Sequence, residues 1–507
     1  MQEYFPAPGR GKGVLSAAIL GSAAVFLSSG GVSVALPSIQ SSLGSNLSGL
    51  QWVVNAQLIT LAALLPIGGS VGDRFGRRRV FLIGTIIFAA ASLMSAFARN
   101  IGQLTALQSP QGVGSAFMVP QSLAIINVSF AERVRGRVIG LWAGISGGVS
   151  ALGPWVSGWL VERFSWHAVF FLSSLVALAA LAAAAVFVRE NKNPNMRRLD
   201  PLGVLCLLAG LFGIAFGLIT GPSGWMAPAV LAGLMGGFGF CVVFVLLESR
   251  QLEPVVPLQI FRNPLVAGAN LATLLVYAAL NGITLYSVLV LQQAHRYSPS
   301  AAGLAIIPTV VCIALLSGPA GSVSDKIGPR LQMTMGPLLV AAAASLLALS
   351  GTSSDYLRHF FPGFVLLGIG MAALIAPLTK SALLVSPELS GAASGVNNAV
   401  SRIAALLAVA ILGAIMISTF STRLDHSLPE SGLSASQQQQ ILDQASKLGG
   451  IVVPETFDAE ANAEARGVVS ASLVYSYRWV MIVCAALAFG GSVVSAVMIR
   501  NRAIDSQ

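Results

Sequence analysis

The segment "GSVGDRFGRR" occupies Gly69 to Arg78, and the chain returns to it 252 residues later as "GSVSDKIGPR", Gly321 to Arg330. Six of the ten positions are identical, and Arg74 is answered by Lys326. A polar loop that recurs half a chain away, each time flanked by long apolar runs, marks a duplicated helical unit of the kind that builds two halves around a central site. The runs also identify the solvent. Of the 507 residues 55% are hydrophobic and 9% charged, whereas soluble domains carry about 25% charged residues. Fourteen runs are long enough to cross a hydrocarbon core as helices, which satisfy their own backbone hydrogen bonds there. The expected architecture is an all-α integral membrane protein with fourteen transmembrane helices, the first at about residues 13–36 and the last at about 471–499. One six-helix half covers residues 1–190, a linker and two inserted helices cover 191–255, and a second six-helix half covers 256–507. An outer loop is expected at about 421–470, where "SASQQQQILDQASKLGG" suits a short amphipathic surface helix.

Charge sets the orientation. Most of the 29 Lys and Arg fall in alternate loops, in clusters such as Arg77, Arg78 and Arg79 or Arg133, Arg135 and Arg137. The inside-positive bias therefore places both termini in the cytoplasm, and the net charge of +10 is directed at anionic headgroups of the bilayer. No basic stripe with interleaved aromatics suggests nucleic acid. Cys206, Cys241, Cys312 and Cys484 lie in apolar runs without metal or redox spacing. There is no phosphate-binding Gly-Lys-Ser/Thr loop and no nucleophile and base pair in the spans, so no enzyme activity, cofactor or metal is expected.

Titratable groups avoid the interior. All 19 Asp and Glu fall in loops, termini or helix ends, and His167, His295, His359 and His426 lie at or beyond the outer ends. A proton-coupling carboxylate or histidine at mid-depth is therefore missing. Two basic residues do enter spans. Arg402 lies eleven residues beyond Gly391, about 16 Å along a helix, and either faces a wet cavity or bonds helix carbonyls; Lys380 is placed to snorkel to the headgroups. Polar stripes mark further candidates: Asn270, Thr273, Tyr277, Asn281 and Thr284 on one face, Gln108, Gln111 and Ser115 on another, and the pair Asn397 and Asn398. Each stripe lines a cavity or glues helices together.

"GGSVGDRFGRRRVFLIG", Gly68 to Gly84, resembles the loop signature of the major facilitator superfamily. "QGVGSAF" from Gln111, "SALGPWVSGWL" from Ser150, "SPSAAGLAIIPT" from Ser298 and "SGVNNAVSRIAALLAVAILGA" from Ser394 are similar to segments of its fourteen-helix drug:proton antiporter branch. The resemblance implies a cytoplasmic gate at Gly69, Gly72, Asp73, Arg74, Gly76, Arg77 and Arg78, repeated at Asp325, Lys326, Gly328 and Arg330. It also implies a helix-bending element at Gly153, Pro154 and Gly158, although Ser157 replaces the usual second glycine. Against the family pattern Ser28 stands for Asp, Ser33 for Asn, Gln108 for Arg and Gln57 for Tyr, which puts proton coupling in doubt. The candidate cavity is thus Ser28, Ser33, Gln57, Gln108, Gln111, Asn270, Tyr277, Asn281, Asn397, Asn398 and Arg402. The expected function is secondary active export of hydrophobic or amphipathic small molecules by alternating access, with weak or atypical proton coupling. The protein is expected as a monomer in a bacterial cytoplasmic membrane. An uncoupled facilitator, a lipid or metabolite exporter, and a non-transporting scaffold or sensor are the alternatives.

Overall fold

The computed structural model describes residues 10–192, 200–251, 254, 256–352, 355–385, 389–454 and 456–499, apart from the side chains of Asp325 and Ser390. Fourteen helices are long and apolar enough to span a membrane: α1 (Arg10–Leu43), α2 (Leu47–Phe75), α3 (Arg77–Ser95), α4 (Ile101–Ser129), α5 (Glu132–Arg163), α6 (His167–Phe187), α7 (Pro201–Ser223), α8 (Pro228–Arg250), α9 (Pro264–Gln293), α10 (Pro299–Ser324), α11 (Pro329–Ala348), α12 (Tyr356–Ala382), α13 (Gly391–Ser427) and α14 (Ala459–Met498). The described residues contain no strand. Where the chain turns, short polar side chains stop it. Asn46, Asn100, Asp200 and Asn263 accept from the first free backbone N–H groups of α2, α4, α7 and α9.

Helix α1 packs on α4, α5 and α6, and α2 and α3 pack on α4. The same kind of cluster joins α9, α11, α12, α13 and α14. Helices α7 and α8 pair with each other, and α7 touches α2 and α13. The duplication extends to individual atoms. Gly76 and Gly328, equivalent in the repeat, end α2 and α10 with φ of 112° and 82°. Arg78 donates to the Ala185 carbonyl of α6 at 2.7 Å, and its counterpart Arg330 donates to the Ala496 carbonyl of α14 at 3.0 Å. Glutamines cap the equivalent carbonyls of Gly68 and Ala320, Gln121 from α4 and Gln332 from α11, both at 2.8 Å.

The connection between α13 and α14, expected as an outer loop, is shorter than the apolar boundaries suggest. Helix α13 continues to Ser427 and α14 already begins at Ala459, so the connection is residues 428–458 rather than 421–470. The stretch before the apolar run of α14, "AEANAEARG", is rich in helix formers. Hydropathy marks where the membrane begins, not where the helix does, and 40 residues of α14 reach about 60 Å. Within the connection the expected surface helix forms at Ala435–Leu442, started by a capping box of Ser434 and Gln437. A 3-10 turn at Ala445–Gly450 then reaches back to the first half, where Gln40 donates to the Lys447 carbonyl at 2.9 Å.

Candidate substrate cavity and its gates

Cross-links between the two clusters sit toward one end of the bundle. Gln51 of α2 donates to the Val409 carbonyl of α13 at 2.6 Å, Gln292 of α9 to the Val34 carbonyl of α1 at 3.0 Å, and Gln293 to Gln40 at 2.7 Å. Backbones also approach closely between α5 and the first turns of α10. A Cβ on Gly158 would collide with the Pro299 carbonyl, and one on Gly303 would lie 2.6 Å from the Pro154 carbonyl. Each glycine receives the backbone of the other helix, so the pair forms a reciprocal crossing that any side chain would pry apart. Ser300 adds a hydrogen bond to the Glu162 carboxylate. At the opposite, arginine-rich end α5 still leans on α1 through Trp142 and Ser22, but its glycine positions are open: added Cβ atoms on Gly136, Gly140, Gly144, Gly147 and Gly148 would meet nothing within 4 Å. The bundle is closed at one end and open at the end bearing the arginine clusters.

Between the clusters lies a cavity of about 460 Å³. Ser29 and Gly30 come from α1, Ser150 from α5, Tyr277 and Asn281 from α9, Thr379 and Leu383 from α12, and Ser394, Asn397, Asn398, Ser401 and Arg402 from α13. Thr273 donates to the Asn397 side-chain oxygen at 3.0 Å and holds that amide toward the cavity. Among the described residues no acidic residue and no histidine lines it, and Arg402 is the charged group of the lining. At the closed end burial, and secondarily the charge of His359, hold the His295 imidazole below its ordinary pKa. That imidazole is neutral at physiological pH and supplies no switch there.

Of the expected cavity residues, Tyr277, Asn281, Asn397, Asn398 and Arg402 meet in this space. Ser28, Ser33, Gln57, Gln108, Gln111 and Asn270 do not line it. Ser28 turns away and accepts from Gln111 at 3.0 Å, Gln108 faces Ser95, and Asn270 donates to its own helix at Val266. Gln57 is buried, and Ser33 donates to the Ser29 carbonyl at 3.3 Å. For Ser28 the reason is angular, since neighbouring helix residues point about 100° apart and on α1 it is Ser29 and Gly30 that face the space; Ser33 shares that face but lies one turn nearer the closed end. Ser150, Thr379, Ser394 and Ser401 were missed. A signal existed for two of them, since Ser394, Asn398 and Ser401 recur at helical spacing on the face of α13 that carries Arg402.

The loop between α2 and α3 has a local anchor that the sequence did not reveal. Glu190, beyond α6, accepts from the backbone N–H of Arg78 at 3.2 Å and of Arg79 at 3.1 Å. It thereby caps an α3 N-terminus that has only Gly76 before it. Asp73 pairs with Arg77 one turn along at 2.6 Å. Arg74 lies over the Phe75 ring, 5.7 Å from its centre. The Asp325 side chain lies outside the described residues.

A two-cluster helical bundle with a mid-depth cavity open at one end defines a membrane transporter. The sequence profile of the Major Facilitator Superfamily matches residues 18–409, and the chain belongs to that superfamily. It is 30% identical to the tetracenomycin C resistance and export protein of Streptomyces glaucescens over 494 residues, 96% of this chain and 91% of that protein. It is 33% identical to the puromycin resistance protein pur8 of Streptomyces alboniger over 392 residues, 76% of this chain and 77% of that one. The fold matches the crystal structure of the POT family transporter PepTSo with a TM-score of 0.65 at 13% identity, over 96% and 97% of the two chains. The chain is an integral membrane transporter and not an enzyme.

Proposed function

We propose that the chain exports hydrophobic or amphipathic small molecules from the cytoplasm of a bacterial cell by alternating access, as a monomer with weak or atypical proton coupling. The observation that carries this reading is the cavity itself, lined from both clusters and closed at one end only. Residues 1–190 and 256–507 act as the two rocking units and 191–255 as a peripheral insertion. Both termini and the arginine-rich loops face the cytoplasm, so the described state is inward-facing. The reciprocal glycine crossing is the closed outer gate. Asp73 and its repeat counterpart Asp325 latch the cytoplasmic side when that side closes. The relatives named for resistance and export support the direction of transport and the drug-like cargo.

Two experiments test this. Ser401→Trp places an indole in a 460 Å³ space and is expected to abolish the protection that overproduction gives against toxic amphipathic compounds, with the protein still present in the membrane. Undiminished protection would show that cargo travels elsewhere. In proteoliposomes an imposed pH gradient is expected to change flux less than about twofold, because among the described residues no carboxylate or histidine lines the cavity. Flux that tracks the gradient would overturn the coupling assignment.

A further inference from the structure

The cavity presents one fixed charge, and its sign is unusual for a site meant for cationic drugs. Arg402 projects into the space among Asn397, Asn398 and Ser401, with Tyr277 across from it on α9. Among the described residues no carboxylate pairs with it. The Tyr277 phenol is the neighbour that interacts with the guanidinium, and it is the titratable group facing it. A guanidinium stays protonated, and its fork of N–H donors matches a carboxylate or a delocalised phenolate. An organic cation entering here meets only repulsion and neutral amides.

We propose that the transported molecules are organic anions held on Arg402 through a carboxylate or phenolate, and that the inside-negative membrane potential drives their export in place of a proton. This rests on the cavity being the transport site. The physics follows from where the charge sits. Loaded, Arg402 and the anion form a neutral pair, which is far easier to seal away from water than a bare cation. Anion binding therefore favours closure of the cytoplasmic side. Empty, the cavity returns inward carrying only the arginine's positive charge, with the Tyr277 phenol beside it, and that movement runs down the potential. Each cycle transfers one negative charge outward, with no titratable group required. A potential of 100 mV supports a gradient of a monovalent anion of roughly 50-fold. The arrangement accounts together for the missing interior carboxylates and the presence of an arginine at mid-depth.

Fluorescein and rhodamine 6G share a ring system and differ in charge, so they make a matched pair of probes. The purified protein is placed in proteoliposomes loaded with either dye, with valinomycin and potassium gradients setting the potential and protein-free liposomes correcting for leak. Fluorescein efflux is expected to rise about tenfold when the lumen is made negative at equal, mildly acidic pH, where the phenol is protonated and the dye is a monoanion, with rhodamine 6G efflux slow throughout. Arg402→Gln is expected to lower fluorescein efflux at least tenfold and to erase its response to the potential, while Arg402→Lys retains part of both. Faster transport of rhodamine 6G, fluorescein flux that follows pH and ignores the potential, or an unchanged Arg402→Gln variant would each overturn the proposal. Ser401→Trp separates the two levels: if it leaves dye efflux intact, the cavity is not the route. If it blocks efflux while Arg402→Gln does not, the cavity stands and the anion assignment fails.

Discussion

Gly303→Leu is expected to reduce transport by roughly an order of magnitude or more, without a matching loss of protein from the membrane. The position has no room: a single Cβ would lie 2.6 Å from the Pro154 carbonyl and 2.9 Å from the Trp155 Cα. Backbone atoms cannot rotate away as a side chain would. Overpacking of this kind typically costs about 1–3 kcal/mol, and here it falls on the state in which α5 and α10 cross. That is a bias of roughly 5- to 150-fold between the two states, enough to strand the carrier with its outer side ajar. Gly158→Leu acts on the same crossing from α5, where the Pro299 carbonyl occupies the space. The double variant should be little worse than either single one, because both remove one contact. The check is an Asn398→Cys reporter in the cavity: its reaction with a membrane-impermeant maleimide added outside should accelerate in the glycine variants. Normal transport by Gly303→Leu would mean that outer closure does not depend on this crossing.

That crossing shows which features a sequence reveals. The repeat at Gly69 and Gly321, the apolar runs and the charge bias are local, and each states its meaning within a few residues. The expected halves and fourteen spans follow from such signals. Which helix faces touch is not local. The family resemblance pointed to Gly153, Pro154 and Gly158, yet nothing in "SPSAAGLAIIPT" indicated that Gly303 was their partner. For the cavity the difficulty was angular rather than distant: polar residues cluster on α1, and without the packing there is no means of choosing Ser29 over Ser28. On α13 the stripe was longer, and its register, with Asn397, Asn398 and Arg402, was legible. Polar residues of α4 served instead to bond α1 and α3 in the first cluster. That is the ordinary fate of an amide between membrane helices.

Gly76→Ala is expected to be strongly damaging for a single added carbon, because it meets two obstacles at once. The residue holds φ at 112°, which side-chain-bearing residues avoid at a cost of about 1–3 kcal/mol. The added methyl would also fall on the Glu190 carboxylate. Moving that carboxylate aside uncaps the N–H groups of Arg78 and Arg79 and frees the end of α3 from the segment that follows α6. The variant should show a melting temperature in detergent lower by several degrees, a reduced membrane level, and transport that falls further than the protein level does. Glu190→Gln separates the two obstacles: it keeps the space filled and leaves Gly76 unstrained, losing the charge at the helix N-terminus and, because its NH2 group cannot accept, one of the two backbone hydrogen bonds, so its effect should be the smaller. Gly328→Ala makes the same test at φ of 82° in the second repeat. If both glycines tolerate alanine with full stability and transport, the loops do no more than set topology by their arginines. If both fail, the duplicated turn is the rigid joint through which each half holds its second and third helices at the cytoplasmic gate.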